Sequence, residues 1–166
     1  NRIIIPYMNK GKIVGYTSRF LDDRIPRYVN EQQPGYVFGL DFQQENWKFA
    51  IVTEGILDAI SIDGLAVLHN KIGSPQAQQL KQLYRKIIVV PDQDKAGLKV
   101  IDDALENGFN VSIPDWGDSS IKDVNDAVVK FGKIATVLKI LKYANASSLK
   151  IKLAKKELER KVERIH

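Results

Sequence analysis

Carboxylates recur in this sequence where short apolar runs end. Glu54 follows Phe49-Ala50-Ile51-Val52, with Gly55 directly after it and Asp58 one helical turn later. Asp92 and Asp94 follow Ile87-Ile88-Val89-Val90, and Asp118, Asp123 and Asp126 come after Val111-Ser112-Ile113. A lone acid beyond a strand is ordinarily a helix cap or a loop residue. Three strand ends that each present carboxylates to one crevice would instead repel one another and raise their own pKa values. A divalent cation with hard oxygen ligands, Mg2+ first and Mn2+ second, is the simplest way to keep them ionised and close. Glycine after Glu54 allows a sharp turn and a close backbone approach. Asp92 and Asp94, two residues apart, can both reach one metal from a single turn. No GxxxxGK[ST] or GxGxxG string occurs, so neither stretch is a phosphate loop.

Acids so arranged need elements that bring strand ends together. From Trp47 onward the pattern predicts strand 49–53, helix 56–62, a small strand 66–68, and a helix from Ser74 to about Leu83 with Pro75 in its first turn. Strand 87–90, an amphipathic helix 96–106 ended by Gly108, and strand 111–113 follow. Short strands alternating with helices predict βαβ units and a mainly parallel α/β sheet flanked by helices. Ligands of such open sheets bind at the carboxyl ends of the strands, where these acids lie.

Ahead of this region, Ile3-Ile4-Ile5, the turn Asn9-Lys10-Gly11 and a return from Lys12 to Phe20 predict a β-hairpin. Residues 22–34, with two prolines, read as an extended loop, and 36–40 as a short strand. At the other end, 150–165 reads as a charged helix with apolar positions Ile151, Leu153, Leu158, Val162 and Ile165. The expected division is an N-terminal β segment over 1–46, an α/β domain over 47–141 and a basic helical tail over 142–166.

Composition narrows the chemistry. With 44% hydrophobic residues over 166 positions there is material for a sizeable core, and extended disorder is excluded. The absence of cysteine removes disulfides, thiolate zinc sites and a cysteine nucleophile. His69 and His166 are the only imidazoles, so a multi-histidine metal site is excluded as well. No apolar run approaches the roughly 20 residues that span a bilayer. A start at Asn1 without methionine or signal peptide predicts an intracellular piece of something longer. The net charge of +5 is unevenly spread: Lys and Arg outnumber acids over 1–53 and 142–166, while acids lead over 54–141. An acidic centre between basic flanks suits a cation site beside a polyanion.

The run Glu54-Gly55-Ile56-Leu57-Asp58, followed later by Asp92-Gln93-Asp94, resembles the Toprim signature shared by DnaG-type primases, type IA and type II topoisomerases and some nucleases. Ile4-Ile5-Pro6, Gly11 and Val14-Gly15-Tyr16-Thr17-Ser18-Arg19 resemble the stretch before Toprim in primase cores. Pro26-Arg27-Tyr28-Val29-Asn30 and Val37-Phe38-Gly39-Leu40 are similar to the segments that follow it, and Lys122-Asp123-Val124-Asn125-Asp126-Ala127 to the third acidic element in the form seen in phage-encoded primases. The resemblance covers roughly residues 2–135. It implies a Toprim-type, Rossmann-like fold and magnesium-dependent synthesis of short RNA primers on single-stranded DNA from ribonucleoside triphosphates. It further implies catalytic Glu54, Asp92 and Asp94, metal support from Asp58 and Asp123, and nucleotide or template contacts from Arg19, Arg27 and Tyr28. A zinc-binding domain and a helicase-binding module lie outside this stretch, so no zinc is expected here, and a replicative helicase would be met through other regions. No membrane contact is implied, and the setting would be the bacterial cytoplasm, including that of a phage-infected host. Gln93 stands where bacterial primases usually have glycine, and Asn125 where they have a second acid.

Two other functions fit some of the same residues. A Toprim nuclease or topoisomerase fragment is disfavoured by the primase-like residues 2–40 and by the lack of a topoisomerase-like region around a tyrosine nucleophile. The non-enzyme alternative is a receiver-like regulatory or nucleic-acid-binding module, but a receiver should carry paired acids after its first strand, whereas here Glu54-Gly55 comes first and the DxD later. Among the remaining residues, His69, Trp47 and Trp116 read as structural, Tyr36 and Phe38 as sheet packing, Asp102 and Asp103 as solvent-facing, and Asp118 as a loop cap. The tail helix reads either as a linker or as a DNA contact along its charged face.

Overall fold

The computed structural model of the chain describes residues 1–163. Strands β1 (Arg2–Asn9) and β2 (Lys12–Phe20) form the expected antiparallel hairpin. Its two-residue turn holds Lys10 and Gly11 at φ 52° and 73°, the backbone that matches the right-handed twist of paired strands. The Asp41 carboxylate accepts both turn N–H groups, at 3.0 and 2.8 Å, from a short 3-10 turn over Leu40–Phe42. The loop expected over 22–34 is in part a strand: β3 (Tyr28–Glu31) pairs antiparallel with β2 and completes a three-stranded sheet. All four of its residues are exposed, so no apolar alternation marked it in the sequence.

The larger sheet has five strands in the order β5-β4-β6-β7-β8. β4 (Phe49–Thr53), β5 (Leu65–Ala66), β6 (Lys86–Val89) and β7 (Asn110–Ser112) are parallel, and β8 (Ala144–Asn145) adds an antiparallel edge. The helices between them are α1 (Ile56–Ile62), α2 (Ser74–Lys81) and α3 (Gly97–Glu106). Both faces of this sheet are covered, which is why β4 and β6 read as continuous apolar runs rather than alternating ones. Ala50, Val52, Ile87 and Val89 point into one core with α2, α3 and the last helix, α6 (Ser148–Glu163). Ile51, Ile88 and Val90 point into the other, against α4 (Val124–Phe131) and α5 (Lys133–Tyr143).

Several expectations are corrected. The strand over 36–40 is only a single bridge from Phe38 to Ala66, because Gly39 at φ 91° turns the chain into the 3-10 segment. The strand over 66–68 shortens to Leu65–Ala66, since Leu68 takes a left-handed φ of 63°. Helices α4 and α5 and strand β8 add to the elements expected from the sequence. Asp123 caps α4 by accepting the Asp126 N–H, and Gly132 at φ 81° separates the two helices. Asp102 is exposed, as expected, but the Asp103 carboxylate accepts the Ile72 N–H at 2.7 Å and fastens the loop before α2.

In α6, Ile151, Leu158 and Val162 are buried against α3, whereas Leu153 is 55% exposed, two residues from Ile151 and on the opposite face. Ile165 and His166 lie outside the described residues. Lys155 of α6 bonds Asp102 of α3 at 2.7 Å. The tail helix is thus part of the core beside α3, with its charged face outward. Truncating Leu158 to Ala is expected to cost about 2–5 kcal/mol, read as a lowered denaturation midpoint. An unchanged midpoint would show that α6 does not close this face in solution.

Candidate active site

The site is built at the carboxyl ends of β4 and β6. Thr53 fixes the exit from β4, its hydroxyl lying 3.1 Å from the Gly55 carbonyl and 3.2 Å from that of Leu65. Glu54 then turns toward the neighbouring strand, and its Oε1 accepts the Asp92 N–H at 3.0 Å. Asp58, one turn into α1, accepts the Asn125 N–H at 2.8 Å and so ties α1 to the start of α4. Two glycines make this approach possible. A Cβ on Gly55 would stand 2.4 Å from the Asp58 Oδ2, and one on Gly97 would stand 2.1 Å from the Asp92 carbonyl oxygen. The space beside Gly55 is therefore filled by a carboxylate of the chain itself. Nothing in the acid pattern drew attention to Gly97.

Opposite the acids stands the small sheet. Arg19 and Tyr28 are directly paired across β2 and β3, and so are Thr17 and Asn30, so all four share one face. The Arg19 guanidinium lies 5.5 Å from the Tyr28 ring centre, and the Thr17 hydroxyl bonds the Asn30 side chain. A core of Tyr7, Tyr36, Phe38, Ile56, Ala59 and Ala66 holds this sheet on the larger one, with Tyr7 and Tyr36 stacked at 4.9 Å. Between the two sheets lies a cavity of about 540 Å³. Glu54, Asp58, Asp92 and Asp123 line it on one side, and Arg19, Arg27 and Tyr28 on the other. Asn30, Thr17, Asn125 and Asp126 also line it. Nothing local in the sequence marks Thr17 and Asn30, because only the β2–β3 register puts them beside Arg19 and Tyr28.

Two of the strand-end acids stand elsewhere. Asp94 does not line the cavity; its Oδ1 accepts the N–H groups of Ala96 and Gly97 at 2.8 and 3.0 Å and starts α3. Asp118 bonds the Ser120 N–H and hydroxyl and pairs with Lys130, which holds its carboxyl well below the usual range. Gln93, between the two aspartates, fastens their loop: its amide donates to the Pro114 carbonyl at 2.6 Å, and its oxygen accepts from Lys161 of α6 at 3.2 Å. His69 is exposed and bonds Gln32, and Trp116 is buried in the core under α4 and α5.

Among the described residues, no Lys or Arg pairs with Glu54, Asp58, Asp92 or Asp123. Burial, and then the charges of Asp94 and Asp58, push Glu54 up to about 7 despite the Asp92 N–H. Burial, and then the charges of Glu54, Asp58, Asp123 and Asp94, push Asp92 up to about 8. Asp58 is raised by burial and by Asp123 beside it. Among the described residues no three acidic or imidazole groups converge tightly enough to cage a cation. The donor chemistry nonetheless fits one, for these are hard oxygens with surplus negative charge and no side-chain cation.

No family model matches the chain. It is 32% identical over 154 residues to the DNA primase of Clostridium acetobutylicum, covering 81% of this chain and 26% of that protein. It also matches the zinc-binding and RNA polymerase domains of the Aquifex aeolicus primase, with a TM-score of 0.71 and 25% identity over 96% of this chain and 44% of that one. The chain belongs with the DnaG-type primases. It is a Toprim fragment of that kind, spanning about a quarter of the length of the Clostridium relative. The DnaG primase catalytic domain bound to single-stranded DNA has the same fold, with a TM-score of 0.70 and 21% identity over 87% of this chain and 53% of that one.

The raised carboxyls of this primase fragment fix the sign of its pH dependence. The unfolded chain ionises these groups from about pH 4, but the folded site releases its protons only near 7 for Glu54 and 8 for Asp92. Stability without metal is therefore full in acid and lost as pH rises through that window. In EDTA the melting temperature should fall by about 5 °C or more across it. Millimolar Mg2+ should restore more of that loss at the alkaline end than at the acid end. A melting temperature that rises with pH in EDTA would refute the uncompensated-acid description.

Proposed function

We propose that this chain supplies the metal-binding half of a primase centre, which joins ribonucleoside triphosphates into short RNA primers on a single-stranded DNA template. The observation that carries the reading is one cavity walled by buried and half-buried carboxylates on one side and by Arg19, Arg27 and Tyr28 on the other. In this reading Glu54, Asp58, Asp92 and Asp123 hold Mg2+, or Mn2+ in its place. Asp94 joins them when it exchanges its capping bonds for the metal. The bound cation supplies neutralisation of the charge that phosphoryl transfer gathers on the phosphate oxygens.

The chain's own residues do the rest. Arg19 and Arg27 donate paired N–H bonds to the triphosphate, and Tyr28 offers its ring to a base. The Thr17–Asn30 bond keeps β2 and β3 in register beneath them. The Asp92 and Asn125 N–H groups hold Glu54 and Asp58 turned into the cavity, so both are oriented before the cation arrives. Template binding is supported by the likeness to the primase domain whose structure holds single-stranded DNA. Primer synthesis would belong to the longer protein, working in the cytoplasm beside a replicative helicase that it meets through other regions. This fragment alone would bind metal and nucleotide without extending a primer.

Titration with Mn2+ should give millimolar or tighter binding that the double substitution Asp92→Asn and Asp94→Asn abolishes. Equal binding by that folded variant sinks the metal assignment. A charged hydrogen bond contributes roughly 1.5–3 kcal/mol, so Arg19→Ala should weaken nucleotide binding at least tenfold. Equal affinities for variant and parent would make Arg19 a surface residue with no part in the site.

A further inference from the structure

At the other end of β4 and β6 the chain gathers cations. Lys48 precedes β4, Lys86 opens β6, Lys81 closes α2, and Arg85 stands in the loop between α2 and β6. The four line a second cavity of about 570 Å³ with Tyr84 and Phe109, and no acidic residue lines it. Among the described residues none of the four pairs with a carboxylate. Lys81 bonds the Asn107 side-chain oxygen at 3.3 Å and lies 5.7 Å from the Phe109 ring centre. Arg85 donates to the Gln44 carbonyl at 2.9 Å and to that of Leu83 at 3.5 Å. These contacts hold the cations in place without neutralising them.

Tyr84 stands among these cations at the cavity. It is 92% exposed, and its φ of 50° lies in the left-handed region. A tyrosine there bears a backbone cost with no packing in return, where glycine or asparagine would serve the turn better. An exposed ring among unpaired cations is the combination that grips single strands: cations follow the phosphates and the ring stacks on a base. An acidic peptide would use the cations but leave the ring without a partner.

We propose that this patch is a second binding site for single-stranded nucleic acid, with Lys48, Lys81, Arg85 and Lys86 on phosphates and Tyr84 stacked on a base. The length of β4 sets it on the order of 15 Å from the acids, so a strand held here does not compete for the cavity between the sheets.

The test is fluorescence anisotropy of a labelled oligothymidylate with the full chain across a salt series. Each phosphate neutralised contributes about −0.7 to the slope of log affinity against log salt. The quadruple variant Lys48→Ser, Lys81→Ser, Arg85→Ser, Lys86→Ser should bind more weakly, with a slope shallower by about 2 or more. Tyr84→Ala alone should weaken binding about fivefold or more. Photocrosslinks from a bromodeoxyuridine oligonucleotide should map to residues 81–86. The melting temperature of each variant establishes that it is folded. Unchanged slope and affinity in the folded quadruple variant overturn the proposal, as do crosslinks confined to residues 19–28. Displacement of the oligonucleotide by an equal concentration of polyglutamate would also overturn it, by making the patch a site for acidic protein segments.

Discussion

Glu54 and Asp58 are buried and Asp92 half-buried in one cavity wall, and among the described residues no Lys or Arg pairs with them; the rest of the larger sheet is arranged around that cost. A buried, unpaired carboxylate is penalised by several kcal/mol unless it gains hydrogen bonds, a proton or a counter-ion. Backbone N–H groups of Asp92 and Asn125 supply the hydrogen bonds, and raised proton affinity supplies a neutral form. Both devices require the ends of β4 and β6 and the start of α4 to lie within hydrogen-bond reach. Parallel pairing of Phe49 through Val52 with Lys86 through Val89 provides this, and Gly55 and Gly97 remove the side-chain atoms that would block it.

The same constraint gives the small sheet its place. An acid wall alone is a poor site for a polyanion, because it repels phosphate until cations intervene. Stacked Tyr7 and Tyr36, with Phe38 bridging to Ala66, fix the hairpin sheet on the open side of the cavity. That docking carries Arg19 and Tyr28 to face the acids across open space. Charge of one sign is thereby opposed by charge of the other without the two forming ion pairs.

Helix α6 acts at a distance from this cavity. Its buried stripe closes the face of α3, and Lys161 reaches the Gln93 side chain in the loop between Asp92 and Asp94. The Gln93 side chain joins the acidic loop to the Pro114 segment and the last helix. Loop position and core packing are thus coupled through one residue.

Much of this was legible in the sequence. Short apolar runs ending in acids determined the parallel α/β sheet and where its site would lie, because period and composition are local properties of the chain. That Glu54 and Asp92 share one wall follows from the ends of neighbouring parallel strands, whereas Asp58 and Asp123 reach it from α1 and from the start of α4. What only the tertiary structure decided was which acids reach the cavity. Asp94 and Asp118 are aspartates in the loops that follow strands, as Asp92 is, yet local bonds to Ala96 and Gly97, or to Ser120 and Lys130, hold them elsewhere. Strand β3, the partnership of Thr17 with Asn30, and the burial of α6 likewise depend on register between distant segments. A polar edge strand and a charged helix carry no local mark of what they pair with, since that is fixed by which surfaces remain open once the rest of the chain has packed.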